Sequence, residues 1–124
     1  MIQDKMSQST ILEVENLNLA YGNYQVLEKV SFSADRGKCM VVMGGSGCGK
    51  STLLQVIAGN LSPTEGEVWW GDERIDTLNE DERARWRLNN IGMIFQDFRL
   101  FPHLSAIDNI ALPLVIAGYR YQEI

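Results

Sequence analysis

The chain has 124 residues, enough for one small domain with its own core, and 45% of them are hydrophobic, as in ordinary globular proteins. A formal net charge of −5 argues against a dedicated nucleic-acid-binding protein. The polar start is unlike a signal peptide, and the most apolar later stretch, 110–117, contains Pro113 and is too short to span a bilayer. We therefore expect a cytoplasmic protein in which Cys39 and Cys48 are reduced thiols.

The front of the chain is predicted to form an antiparallel pair of strands. Residues 1–10 are polar and are expected to be a disordered lead. Apolar and polar residues then alternate over 11–21, which indicates a half-buried strand. Gly22 and Asn23 supply a turn, and 26–34 has the pattern of a second strand.

The centre of the chain carries a glycine-rich loop between an apolar run and a helical pattern. The run 38–43 predicts a buried strand that includes Cys39, and 52–59 predicts a helix closed by Gly59. The loop itself reads Gly44-Gly45-Ser46-Gly47-Cys48-Gly49-Lys50-Ser51-Thr52. It completes the pattern Gly-x-x-x-x-Gly-Lys-Ser/Thr of a phosphate-binding loop, or Walker A motif.

The loop's residue types suit the binding of a triphosphate. Glycines let the backbone wrap closely around an anion, and the following helix presents its positive end to the same phosphates. Lys50 is expected to reach the β- and γ-phosphates, and the Ser51 hydroxyl to ligate Mg²⁺. A plain flexible glycine turn is the alternative, and the order strand, loop, helix favours nucleotide binding over it.

A hairpin and a helix are predicted next. Residues 67–70 and 73–75 flank Gly71 and Asp72, which indicates a hairpin after the turn 62–66. Its tryptophan pair, Trp69 and Trp70, suits packing better than base stacking. The pattern over 79–88 predicts a helix; its arginines, mixed with acidic residues, indicate a solvated face rather than a nucleic-acid site. These arginines are Arg83, Arg85 and Arg87.

The end of the chain begins with another apolar run. Residues 91–95 predict a strand that ends at Gln96, and 98–104 is expected to be an irregular connection. The sequence Ser105-Ala106-Ile107-Asp108 fits a capping box that opens a final helix.

From about residue 11 to residue 118 these pieces resemble the nucleotide-binding domain of an ATP-binding cassette (ABC) transporter. The likeness rests on Leu19-Ala20-Tyr21-Gly22, on the phosphate loop and on Ile91-Gly92-Met93-Ile94-Phe95-Gln96. It implies an α/β fold of the P-loop NTPase class, an ABC-type nucleotide-binding domain with an N-terminal antiparallel β subdomain. The sub-group it is most similar to is that of the lipoprotein-releasing, macrolide-efflux and cell-division ATPases, with the methionine and polar amino-acid importers almost as near.

The resemblance also implies roles for single residues. Tyr21 would stack on the adenine base, with Tyr24 as the alternative stacker and burial for packing as the alternative role for Tyr21. Thr52 would touch the α-phosphate. Gln96 would sense the γ-phosphate, its Mg²⁺ and the attacking water, since an amide both accepts and donates; an ordinary exposed glutamine is the alternative. Lys50 and Gln96 would thus be catalytic, and Ser51 and Gln96 the metal ligands.

Partners are implied as well. The stretch 97–115 resembles the surface on which transporter ATPases receive a helix of the membrane permease, and a second nucleotide-binding domain would complete a dimer. The expected location is cytoplasmic and peripheral, on the inner face of the cell membrane. The runner-up is a soluble ABC ATPase of DNA repair or translation.

Hydrolysis in the family needs motifs that this sequence does not contain: a later strand ending in Asp-Glu, a Leu-Ser-Gly-Gly-Gln signature and a switch histidine. Asp97 and His103 do not replace them, because Phe98 follows Asp97 and His103 lies in the docking stretch. We therefore expect the N-terminal part of such a domain, truncated before the signature motif. By itself this stretch is expected to be a non-hydrolysing fragment.

Overall fold

The computed structural model describes residues 9–45, 47, 49–94, 97 and 99–123. They divide into two compact units, one running up to Ala84 and the other from Arg85 onward. The first unit contains a four-stranded antiparallel sheet and a short helix. The sheet has the strands β1 (Thr10–Tyr21), β2 (Tyr24–Asp35), β3 (Glu65–Trp70) and β4 (Glu73–Arg74), in the order β2-β1-β3-β4. The predicted front pair and hairpin are confirmed.

The core of the first unit lies on one face of this sheet. In β1 the residues Leu12, Val14, Leu17 and Leu19 are buried, as the alternating pattern predicts. Helix α1 (Lys50–Ile57) adds Leu53 and Val56 to the buried set. Its C-terminus is formed by Ala58 and by Gly59, whose φ of 83° is the left-handed conformation expected of a closing glycine.

The pairing of β1 with β2 shifts register at four places. Two of these shifts are bulges at residues with a positive φ, Asn16 (φ 49°) in β1 and Lys29 (φ 47°) in β2. Side chains take over the missing ladder bonds: Asn16 N donates to Ser31 Oγ, and Lys29 N donates to Asn18 Oδ1, both at 2.9 Å. The backbone N–H group of each of these two bulged residues is therefore hydrogen-bonded.

Helix α2 (Glu80–Asn90) spans the boundary between the units. It opens with a reciprocal capping box: Asn79 Oδ1 accepts from Glu82 N at 2.9 Å, and Glu82 Oε1 accepts from Asn79 N at 3.0 Å. In the second unit, helix α3 (Ala106–Ile116) begins at the predicted cap, where Asp108 N donates to Ser105 Oγ at 3.1 Å. A single 3-10 turn follows over Tyr121–Glu123.

The two central strands predicted from apolar runs are not formed. The described residues 38–43 and 91–94 have no strand structure, and Cys39, Met40 and Val41 are exposed rather than buried. A buried strand needs a hydrogen-bonded neighbour on each side, and within the described residues the sheet ends at β2 and β4. The prediction of a buried Cys39 is therefore wrong for this structure. Its thiol is free, as expected, while Cys48 lies outside the described residues.

Candidate functional site

The glycine-rich loop follows residue 43 as an exposed, irregular segment. Of its residues, Gly44, Gly45, Gly47 and Gly49 are described, and the predicted ligands Ser46 and Cys48 are not. Gly47 and Gly49 have φ angles of 81° and 92°, which other residue types rarely adopt. The loop therefore uses two of its glycines for their conformation.

Gly49 also joins the loop to the sheet. A Cβ at this position would lie 3.1 Å from the carbonyl oxygen of Val26 and 3.1 Å from Leu27 Cδ2. The carbonyl oxygen of Gly49 accepts the first bond of α1, from Leu53 N at 2.8 Å. Strand β2 thus fixes the point at which the loop ends and the helix begins.

The N-terminus of α1 points at the loop without a side chain to cap it. Its N-cap is Gly49, and among the described residues no side-chain cap hydrogen bond is formed. The first-turn amides of a helix have no partner within the helix and lie at its positive end, which is the arrangement that binds phosphate. The Ser51 side chain in this turn is exposed, and Thr52 is half-buried.

Lys50 lies across the same loop. Its Nζ donates to the carbonyl oxygen of Gly44 at 2.5 Å, so the ammonium reaches back across the loop to its first residue. An ammonium beside the positive end of a helix makes an anionic ligand fit this site. The two described ends of the Walker A pattern are therefore brought together.

The residues also fit a magnesium ion that arrives with a nucleotide. Across the described ranges no group of three His, Cys, Asp or Glu side chains is placed to hold a metal by itself. Mg²⁺ commonly binds through substrate phosphates with few protein ligands, for which the exposed Ser51 hydroxyl is suited. The second predicted ligand, Gln96, lies outside the described residues.

Two tyrosines form the tip of the hairpin between β1 and β2. Tyr21 and Tyr24 are direct cross-strand partners on either side of Gly22 and Asn23. Their side chains are 56% and 65% exposed, so packing in the core is not their role in this unit. The alternative of a buried strand-end tyrosine at position 21 is wrong for this structure.

The tryptophan pair is held in the sheet. Trp69 Nε1 donates to Glu67 Oε1, and Trp70 Nε1 donates to the carbonyl oxygen of Ile57, both at 2.8 Å. The second bond ties β3 to the end of α1. Both indoles are half-buried, in agreement with a packing role.

The prediction of a solvated arginine face is wrong for one of its three members. Arg83 is only 8% exposed, and its Nη1 donates to Ser62 Oγ, whereas Arg85 is exposed. The long stem of an arginine can be buried along an element while its head finds a hydrogen-bond acceptor, and a charge pattern does not show this.

In the second unit one side chain, Asn109, organises the loop before α3. Asn109 Oδ1 accepts from Phe101 N at 2.8 Å, and Asn109 Nδ2 donates to the carbonyl oxygens of Phe101, Leu104 and Ser105 at 3.2, 3.3 and 2.9 Å. The Phe101 and His103 rings meet edge-on, with centroids 6.0 Å apart. Sequence reasoning missed Asn109, although its place one residue after the capping box was a usable signal.

This unit exposes many large apolar side chains. The exposed ones between residues 99 and 116 are Leu100, Phe101, Ile107, Ile110, Leu114, Val115 and Ile116. Near them Tyr121 Oη donates to Asp108 Oδ1 at 3.0 Å, and this hydrogen bond raises the pKa of Tyr121. In the part of the chain that the structure describes, no helix is long and apolar enough to cross a membrane.

Comparison with known proteins assigns this arrangement to a family. The family model described as ABC transporter matches residues 27–124. The ABC transporter ATP-binding protein YtrE of Bacillus subtilis is 41% identical over 98 residues, which are 79% of this chain and 42% of that protein. The spermidine/putrescine import ATP-binding protein PotA of Fusobacterium nucleatum is 38% identical over 83% of this chain and 26% of its own length.

Solved structures agree with the sequence relatives. The dimeric structure of MJ0796, a bacterial ABC transporter cassette, matches with a TM-score of 0.81 and 36% identity over 89% of this chain and 49% of that one. A post-hydrolysis state of MJ0796 bound to ADP and Pi matches with a TM-score of 0.82 and 33% identity, over 91% of this chain and 52% of that one.

The chain belongs to the ABC transporter family, and the predicted fold class is confirmed. It spans about a quarter to two fifths of these two curated relatives and half of the cassette. The narrower sub-group stays a prediction.

Proposed function

We propose that this chain forms the ATP-binding part of an ABC transporter ATPase and that the loop 44–52 grips the triphosphate of ATP–Mg²⁺. The observation that carries the proposal is the uncapped start of α1 behind Gly49, with the Lys50 ammonium held over the loop at 2.5 Å from the Gly44 carbonyl oxygen. Backbone amides of Gly45, Ser46, Gly47, Cys48 and Gly49 would surround the phosphates.

The remaining site residues have complementary roles in this proposal. Thr52 contacts the α-phosphate, and Tyr21 covers the base. Ser51 and Gln96 would hold Mg²⁺, and the ion would supply positive charge that neutralises developing charge on the phosphates. Gln96 also orients the attacking water, and Lys50 stabilises the charge of the transferred group.

ATP turnover in the parent protein would be coupled to movement. Two cassettes close on ATP and reopen after hydrolysis, because ATP binds the closed state more tightly. The dimeric MJ0796 relative and its state with ADP and Pi support this proposal.

The test is equilibrium binding of labelled ATP–Mg²⁺ to the native full-length protein and to Lys50→Ala. Because hydrogen bonds to a charged group contribute about 1.5–3 kcal/mol, we expect Lys50→Ala to bind roughly 10- to 100-fold more weakly. Lys38→Ala is the matched control, since Lys38 is an exposed lysine paired at 3.5 Å with Asp35. Equal affinity of Lys50→Ala and the unchanged protein would refute phosphate binding at the loop.

We further propose that the stretch 97–115 docks on a membrane permease subunit, which would hold the protein at the inner face of the membrane. The support is the exposed apolar set of the second unit, together with a loop that Asn109 holds in one conformation. Rigid exposed aromatics such as Phe101 suit the binding of an amphipathic helix.

Cell fractionation tests this docking. We expect Phe101→Ala or Leu104→Ala in the native protein to move most of it from the membrane to the soluble fraction, with ATP affinity unchanged. Tyr119→Ala is the control, because Tyr119 is 54% exposed in the same unit but lies outside the stretch. Unchanged membrane association of both variants would show that the stretch does not dock, and absence of the unsubstituted protein from the membrane fraction would favour the soluble DNA-repair or translation ATPase instead.

A further inference from the structure

The tip of the first hairpin presents two aromatic rings rather than one. Tyr21 and Tyr24 face each other directly across β1 and β2, so their side chains leave the same face of the sheet. A register shift between Leu19 and Ala20 separates this pair from the pair Leu19 and Leu27. Leu19 and its partner Leu27 are buried, whereas the two rings are more than half exposed.

Strand β2 connects Tyr24 to the end of the phosphate loop. Gly49 approaches the backbone of Val26, where its Cβ would lie 3.1 Å from the carbonyl oxygen. Tyr24 precedes Val26 by two residues on β2, which at about 3.3 Å per residue places it roughly 7 Å along the strand. A nucleotide with its phosphates at Gly49 can therefore extend its ribose and base toward both rings.

We propose that Tyr24 is a second base-binding residue, which acts beside Tyr21 and makes the hairpin tip a two-ring platform for the nucleobase. This inference rests on the proposed function, in which Tyr21 alone covers the base. Stacking uses the π-face that every base presents, so the platform selects nucleotides with an extended aromatic base without reading its hydrogen-bonding edge. Tripolyphosphate, which has no base, is not recognised by it.

The test compares ATP with inorganic tripolyphosphate, both with Mg²⁺, on the native full-length protein. Replacing a stacking aromatic weakens base binding by about fivefold or more. We expect Tyr24→Val, which keeps a strand-forming side chain, to weaken ATP binding about 5- to 10-fold and to leave tripolyphosphate affinity unchanged. Tyr24→Val should weaken GTP binding as much as ATP binding. Tyr24→Phe should bind both nucleotides as tightly as the unchanged protein.

Each other outcome overturns the inference in a recognisable way. Equal weakening of ATP and tripolyphosphate would make Tyr24 a structural residue of the hairpin, and no weakening of ATP would leave the base to Tyr21 alone. Neither result contradicts the proposed function, which fails only if Lys50→Ala binds ATP as tightly as the unchanged protein. The double variant Tyr21→Val/Tyr24→Val should bind ATP no better than tripolyphosphate.

Discussion

Replacing Gly49 by valine is expected to abolish ATP binding, with a loss greater than about 100-fold. Gly49 has a φ of 92°, and even a single Cβ would lie 3.1 Å from Val26 O and Leu27 Cδ2. The branched side chain must push the loop away from β2, so the first-turn amides of α1 no longer converge with Lys50. Loss of two or more charge-assisted hydrogen bonds accounts for the expected size.

Gly92→Ala is the matched control for this variant, because Gly92 lies outside the phosphate loop. A Cβ at Gly92 meets nothing within 4 Å, and its φ is not in the left-handed region. We expect its ATP affinity to stay within about threefold of the unchanged protein, which is less than the worth of one typical hydrogen bond. Isothermal calorimetry on the native full-length protein measures both. If Gly49→Val bound ATP as well as Gly92→Ala, strand β2 would not position the loop.

The second large effect is on stability. Gly66→Ala is expected to lower the free energy of unfolding by about 3–5 kcal/mol, since it combines backbone strain with a clash that cannot relax. Gly66 has a φ of 107°, and its Cβ would lie 2.6 Å from Asn16 O and 2.6 Å from Leu17 Cα. Those atoms belong to the backbone of β1 at its bulge, so relief requires breaking the pairing of β1 with β3.

Gly71→Ala is the control that introduces backbone strain without a steric clash. Gly71 has a φ of 62° but a Cβ there would meet nothing within 4 Å. Only the left-handed conformation is penalised, which costs roughly 1–2 kcal/mol. Denaturant unfolding of the native protein gives both values. A Gly66→Ala variant no less stable than Gly71→Ala would show that β3 does not pass this close to the bulge.

Elements with local signals were predictable from the sequence. Alternation over 11–21, the turn glycine at 71, the closing glycine at 59 and the capping box at Ser105 each depend on neighbours a few residues away. The predicted and observed boundaries of these elements differ by no more than three residues, because a cap or a turn fixes where an element ends.

Elements that depend on distant neighbours were not predictable. The apolar runs 38–43 and 91–94 lack strand structure, since a run of apolar residues does not specify which strand pairs with it. Burial of Arg83 likewise depends on Ser62, a residue 21 positions earlier in the chain. At the site, the motif predicted the glycines, Lys50 and Ser51. The contact of Gly49 with β2 and the pairing of Tyr24 with Tyr21 depend on how distant segments pair in the folded chain, so only the structure shows them.

The two bulges have a consequence for self-association. Strand β2 is twelve residues long and, among the described residues, forms one edge of the sheet. An edge strand of that length can pair with a strand of a second copy. Lys29 breaks the pleat near the middle of that edge and adds a charged side chain. A second copy would meet two short segments out of register instead of one continuous strand, so we expect the bulge to disfavour intermolecular sheet growth at this edge.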